Sequence, residues 1–128
     1  MSSILFVCIA NSCRSQMAEA FAQSLVGDTW VVASAGSNPS GRVHPLAIEL
    51  MAEVGLDMST HYSKGVDELP KKVWDYVVTM GCGDSCPSVK TRKRIDWNIP
   101  DPVSLSLEEA RRIRDQIAAD VRELLAPD

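Results

Sequence analysis

Ile4-Leu5-Phe6-Val7-Cys8-Ile9-Ala10-Asn11-Ser12-Cys13-Arg14-Ser15-Gln16-Met17 is the stretch that decides the fold. Its first four residues form a short continuous apolar run, the pattern of a strand buried on both faces. The small and polar residues of 8–15 cannot continue that strand well. From Gln16 the period changes. Met17, Phe21 and Leu25 recur every four residues, which predicts an amphipathic helix ending near Gly27.

The remainder repeats this alternation. Trp30-Val31-Val32-Ala33 reads as a second strand, followed by a Ser/Gly/Asn/Pro-rich loop over 34–41. Val43, Leu46, Leu50 and Val54 step by three, four and four, predicting a helix with Pro45 in its first turn and a stop at Gly55. Trp74 to Met80 is a third strand, 81–91 a loop, and Arg94-Ile95-Asp96-Trp97 a short fourth strand. Ser106 and Glu109 fit a capping box ahead of a helix whose apolar positions are Ala110, Ile113, Ile117, Val121 and Leu124. Strands alternating with helices imply a three-layer α/β fold. Its four-stranded, mostly parallel sheet carries helices on both faces and is expected as one domain over 1–128. Ligands in such sheets bind at the carboxyl ends of the strands, where 8–15, 34–42 and 80–91 would meet.

Composition narrows the function. The chain has 128 residues, 45% hydrophobic and 23% charged, with a net charge of −4. That balance argues against nucleic acid or an anionic membrane as partner. Four cysteines are too few for a secreted disulfide scaffold. No apolar run approaches the ~20 residues of a membrane span. The expectation is a cytoplasmic monomer with its cysteines held as thiols unless chemistry uses them.

A Cys-x5-Arg spacing alone is weak, since chance supplies about 0.25 such pairs in a chain with this many cysteines and arginines. Two are present, Cys8 to Arg14 and Cys86 to Arg92, but only the first lies between a strand and a helix start. A strand-to-helix turn aims several N–H groups at one point, and the helix dipole adds positive potential there. The N–H groups of 8–14 (Cys8, Ile9, Ala10, Asn11, Ser12, Cys13 and Arg14) could hold a tetrahedral oxyanion such as phosphate or arsenate. Arg14 adds a bidentate pair. Cys8 would lie beneath the anion, in a field that favours its thiolate, with Ser15 as hydrogen-bond donor. Asn11 tolerates the left-handed backbone that a tight cradle needs. Cys13 reads either as a packed thiol of that cradle or as a competing partner for Cys8.

Val7-Cys8-Ile9-Ala10-Asn11-Ser12-Cys13-Arg14-Ser15-Gln16-Met17-Ala18-Glu19 resembles the signature loop of the low-molecular-weight protein tyrosine phosphatase superfamily, and within it the thioredoxin-coupled arsenate reductases. Ser34-Ala35-Gly36, His44-Pro45 and Asp101-Pro102 extend the resemblance over nearly the whole chain. Ile9-Ala10 departs from the usual Thr-Gly or Leu-Gly and should stiffen the loop slightly. The resemblance implies that Asp101 is the general acid, its direction set by Pro102. It further implies that Cys8 attacks arsenate, that Cys82 forms a disulfide with Cys8 as arsenite leaves, and that Cys86 passes the disulfide to thioredoxin, the electron donor. No other cofactor and no metal are expected, since His44 and His61 lie far from Cys82 and Cys86 in sequence. Only Gly83-Asp84-Ser85 separate these two cysteines, where the family's best-known pattern has six residues, so Gly81 and Gly83 would have to lend mobility.

Further implications follow from the same resemblance. Tyrosine phosphatases of the superfamily carry aromatic walls after Asp-Pro and near the 40s loop. Here Val103-Ser104-Leu105 follow Asp101-Pro102, and 37–43 hold no aromatic residue, which suits a small inorganic anion. Some members bind potassium beside the cradle. The matching residues are Asn11, Glu19 and Ser34, with Lys64 where those members have an acid, so the Lys64 ammonium would replace the ion and bond Glu19 or Asn11. Lys90-Thr91-Arg92-Lys93-Arg94 reads as a solvated basic strip. The function expected is arsenical detoxification. The alternatives are a phosphatase with redox-regulated cysteines, or a non-catalytic oxyanion or redox sensor.

Overall fold

Apolar residues place a strand β1 over Ser2–Cys8, buried from Ser3 onward, and the other strands assemble around it. The computed structural model describes residues 2–81 and 89–126. Helix α1 spans Arg14–Val26, β2 Trp30–Gly36, α2 Pro45–Ala52, β3 Trp74–Met80, β4 Thr91–Trp97 and α3 Leu107–Leu125. Short 3-10 turns cover Val66–Glu68 and Pro102–Ser104. The sheet order is β2-β1-β3-β4 and every pairing is parallel.

Three strands run further than their sequence patterns suggest, β1 taking in Ser2, Ser3 and Cys8 beyond the apolar run of 4–7. β2 continues through Ser34, Ala35 and Gly36, which pair with Phe6, Val7 and Cys8. Small residues that look like a loop form a strand here because a partner strand supplies the hydrogen bonds. β4 begins at Thr91, and its charged residues are tolerated because it lies at the sheet edge.

One face of the sheet, with Ile4, Phe6, Val78 and Met80, packs against α1, α2 and α3 through Met17, Leu50, Met51, Ile117 and Val121. The opposite face, with Leu5, Val7, Ala35, Trp74 and Val77, is covered by Val66, Leu69 and Val89. Among the described residues the helical element on that second face is the 3-10 turn Val66–Glu68. α1 buries a broader face than the Met17–Phe21–Leu25 stripe. Ser15, Gln16, Ala18, Ala20 and Ala22 are also inside, while Leu25 at the far end is 50% exposed. The alanines let its first turns lie close to the sheet. α2 stops at Ala52, which leaves Val54 outside it and exposed. α3 starts as its sequence indicates, the Ser106 hydroxyl accepting from the Glu109 N–H at 3.1 Å.

Parallel order 2-1-3-4 makes the connections from β1 and β3 leave in opposite directions. A crevice therefore opens at the carboxyl end of β1, and Cys8 is its last residue.

Candidate active site

The 9–13 turn is held from outside by its carbonyls. The Cys8 oxygen accepts from Ser37 N–H, Ile9 from Asn38, Ala10 from Ser40, Ser12 from His44 and Cys13 from Met17, at 2.8–3.2 Å. The Asn11 carbonyl accepts from Gln16 Nε2 at 3.1 Å, and the Ser63 hydroxyl adds a second bond to Ala10. Six successive carbonyls are thus tied to the surrounding structure. In a trans peptide the following N–H points the opposite way, so the N–H groups of residues 9–14 face the other side of the loop. None of them donates to another group among the described residues. A ring of amide donors at a helix start accommodates a tetrahedral oxyanion.

Backbone freedom is used where the loop demands it. Asn11 has φ 49°, the left-handed conformation its sequence position suggests. Gly36 lies against the loop so closely that a Cβ there would come within 2.6 Å of the Ile9 carbonyl oxygen. Gly81, at φ +85°, leaves room for the Arg14 guanidinium, into which a Cβ would run. Arg14 Nη1 also donates to the Ile99 carbonyl at 3.0 Å, so the arginine is steadied from the β3 and β4 ends.

Cys8 is buried, and its Sγ lies 2.8 Å from Ser15 Oγ. Asn11 Nδ2 donates to Ser15 Oγ at 2.8 Å and Ser34 Oγ at 3.0 Å, and the Ser34 hydroxyl donates to Glu19 Oε1 at 2.6 Å. Lys64 is 8% exposed. Its ammonium lies 3.7 Å from Glu19 Oε1, and its main-chain N–H, not the ammonium, bonds Asn11 Oδ1 at 2.9 Å. The bridge between Gly36 and Gly65 fixes this segment to the end of β2. Asn11, Ser15, Glu19, Ser34 and Lys64 therefore share one buried polar cluster beneath the loop.

Cys13 is a free, buried thiol. Burial pushes it up to about 12, with the charges of Asp101 and Cys8 adding and Arg14 opposing. It stays protonated at neutral pH, so it is a poor nucleophile. Asp101 has the extended backbone that Pro102 favours, φ −74° and ψ 117°, and its exposed carboxylate accepts from Val103 N–H at 3.1 Å. Cys82 and Cys86 lie outside the described residues. Among the described residues no group of three or more His, Cys, Asp or Glu side chains could hold a metal ion, and no helix is long and apolar enough to cross a membrane.

Several participants had no sequence signal as site residues. Ser63, His61, Tyr62 and Ile99 act through loop contacts that only the fold creates. Gln16 had a faint one, a polar residue directly before an apolar stripe.

The profile of the family described as "Low molecular weight phosphotyrosine protein phosphatase" matches residues 3–127. The chain belongs to that family. Among phosphatase-family relatives, it is 41% identical over 129 residues to the "Glutaredoxin arsenate reductase" of Synechocystis sp., covering 98% of each chain. A solved structure of "an arsenate reductase in the phosphate binding state" superposes with a TM-score of 0.89 at 41% identity, covering 98% of both chains. The thioredoxin-dependent arsenate reductase of Corynebacterium glutamicum gives a TM-score of 0.79 at 35% identity, over 97% of this chain and 60% of that one. Within the low molecular weight phosphatase family the chain therefore falls in the oxidoreductase branch named for arsenate.

Proposed function

We propose that the protein reduces arsenate to arsenite at Cys8 and is recycled through Cys82 and Cys86 by a thioredoxin-like dithiol protein. The observation that carries this reading is the Cys8 sulfur at the carboxyl end of β1, 2.8 Å from Ser15 Oγ, beside a ring of N–H groups that donate to no other group among the described residues. Residues 8–14 bind the oxyanion, with Arg14 as its charged partner. Cys8 sulfur attacks arsenic, and an arsenic–oxygen bond breaks as Asp101 gives its proton to the departing oxygen. Cys82 sulfur then attacks Cys8 sulfur. The sulfur–arsenic bond breaks with its electron pair passing to arsenic, which leaves as arsenite, and a Cys8–Cys82 disulfide remains. Cys86 attacks Cys82, frees Cys8 and forms the disulfide that two thiols of the partner reduce. Each exchange needs the attacking sulfur to reach its target. Cys82 directly follows Gly81, which packs against the Arg14 guanidinium. One relative is named for thioredoxin and another for glutaredoxin, which makes the donor the first thing to test.

Arsenite release by purified protein, with thioredoxin, glutaredoxin plus glutathione, or no donor, checks the proposal. Cys8→Ser and Cys82→Ser should release none. Cys86→Ser should release about one equivalent and stop, as the relay stoichiometry requires. Sustained turnover of Cys86→Ser with thioredoxin would sink the relay. Aryl-phosphate hydrolysis without arsenate-dependent thioredoxin oxidation would mark a phosphatase, and absence of both activities a sensor.

Lys64 serves as the built-in cation of the cluster. Its ammonium stands 3.7 Å from Glu19 Oε1, in the cluster of residues that the resemblance matches to a potassium site. Titrating potassium against sodium and choline chlorides should leave the rate unchanged, and a rise with potassium alone would refute the role.

A further inference from the structure

Gln16 is a fully buried amide that the proposed chemistry does not use. Its Nε2 faces three oxygens: the Asn11 carbonyl at 3.1 Å, Asn11 Oδ1 at 3.0 Å and the Tyr62 carbonyl at 2.9 Å. Three acceptors admit only the donor end of an amide, so the orientation of Gln16 is fixed. Its Oε1 then faces His61 Nδ1 at 2.9 Å. An amide oxygen only accepts, so this ring nitrogen must carry a hydrogen. The Glu19 carboxylate, its Oε2 3.7 Å from the same nitrogen, places a negative charge beside the ring without hydrogen-bonding it.

Asn11 is fixed in the same way. Its Oδ1 receives the Lys64 main-chain N–H, a donor that cannot reverse. Nδ2 therefore gives one hydrogen to Ser15 Oγ and one to Ser34 Oγ. Ser15 Oγ lies 2.8 Å from Cys8 Sγ, and with Cys8 as the attacking thiolate, which can only accept, the hydrogen of that contact is the Ser15 hydroxyl's. One donor from each of His61, Gln16, Asn11 and Ser15 makes up a continuous path that ends at the sulfur, and aligned hydrogen bonds polarise one another.

The geometry points to Gln16 and His61 as positioning residues for the Cys8 nucleophile. His61, through Gln16, holds the one hydrogen-bond direction in which Ser15 donates to the sulfur. This rests on Cys8 being the attacking group, as proposed above.

Three measurements on the full-length protein test it: nitrogen NMR of the His61 ring, the alkylation rate of Cys8 by iodoacetamide read by peptide mass spectrometry, and single-turnover arsenite release. The ring should carry hydrogen at Nδ1. His61→Asn places an amide nitrogen where Nδ1 stood and should stay within about twofold of wild type. His61→Leu and Gln16→Met should slow alkylation and single turnover about tenfold, the usual scale for a lost buried hydrogen bond, with little change in KM for arsenate. An unprotonated Nδ1, or wild-type alkylation rates in His61→Leu, would overturn the inference. If Gln16→Met fails to fold, the two His61 variants carry the same test. Arsenite release by Cys8→Ser would instead bring down the nucleophile reading, and this inference with it, whereas a normal His61→Leu beside an active Cys8 defeats this inference alone.

Discussion

Glycine 36 shows how one residue sets the cradle. A methyl group there would meet the Ile9 carbonyl oxygen at 2.6 Å and the Asn11 nitrogen and Cβ at 3.0 Å, and the two backbone atoms cannot step aside. Gly36→Ala should lose about 1–3 kcal/mol of stability, the range for overpacking, and weaken phosphate binding, measured by calorimetry, at least tenfold. Unchanged affinity would mean that the loop does not need this contact. At this scale Cys8, Arg14, Ser15 and Asn11 were legible because their chemistry is local: a thiol and a guanidinium flanking a strand-to-helix turn. His61 and Ser63 were not, because each meets the loop across more than forty residues of chain. Lys64 was legible only in part. The resemblance implied a direct bond from its ammonium to Glu19 or Asn11, whereas the ammonium stands 3.7 Å from Glu19 and donates to the Tyr62 carbonyl at 3.4 Å, and the bond to Asn11 comes from its main chain.

Among the elements, the end of α2 is tied to α3 by charge. Glu53 accepts from Arg111 at 2.8–3.2 Å and from Arg114 at 2.6 Å. The Arg111 and Arg114 hydrogen bonds hold its carboxyl at about 2 instead of the ordinary 4.5. A folded-state value below the unfolded one adds stability above the unfolded value, and that stability is lost as pH falls from about 4.5 toward 2. The urea midpoint should drop across this window, and Glu53→Gln should flatten the drop. An equally steep loss in that variant would place the acid sensitivity elsewhere. Arg114 itself is buried, though the sequence pattern sets it on the polar side of α3. Periodicity could not reveal that a carboxylate and the Leu50 carbonyl wait to receive it. The extra length of β1, β2 and β4 has a related cause, since strand pairing overrules weak local propensity.

For the molecule as a whole, alternation of strands and helices was enough to indicate a parallel sheet with its site at the carboxyl ends. Sheet order was not readable, because it depends on which way each crossover turns. That order puts Cys8 at the divergence of two connections. A folded state that offers a ready anion seat should be stabilised by phosphate or sulfate. Binding to the folded form alone adds about 2.7 kcal/mol at a hundred times the dissociation constant. A thermal midpoint indifferent to phosphate would argue against the seat. The six outward-tied carbonyls carry a last consequence. A socket rigid before its guest arrives, and built of amide hydrogens, measures shape and charge but not the identity of the central atom. Phosphate, abundant in any cell, would enter as readily as arsenate. Selectivity would then be decided after docking, by which central atom can accept two electrons, and competition from phosphate becomes a working condition of the catalyst.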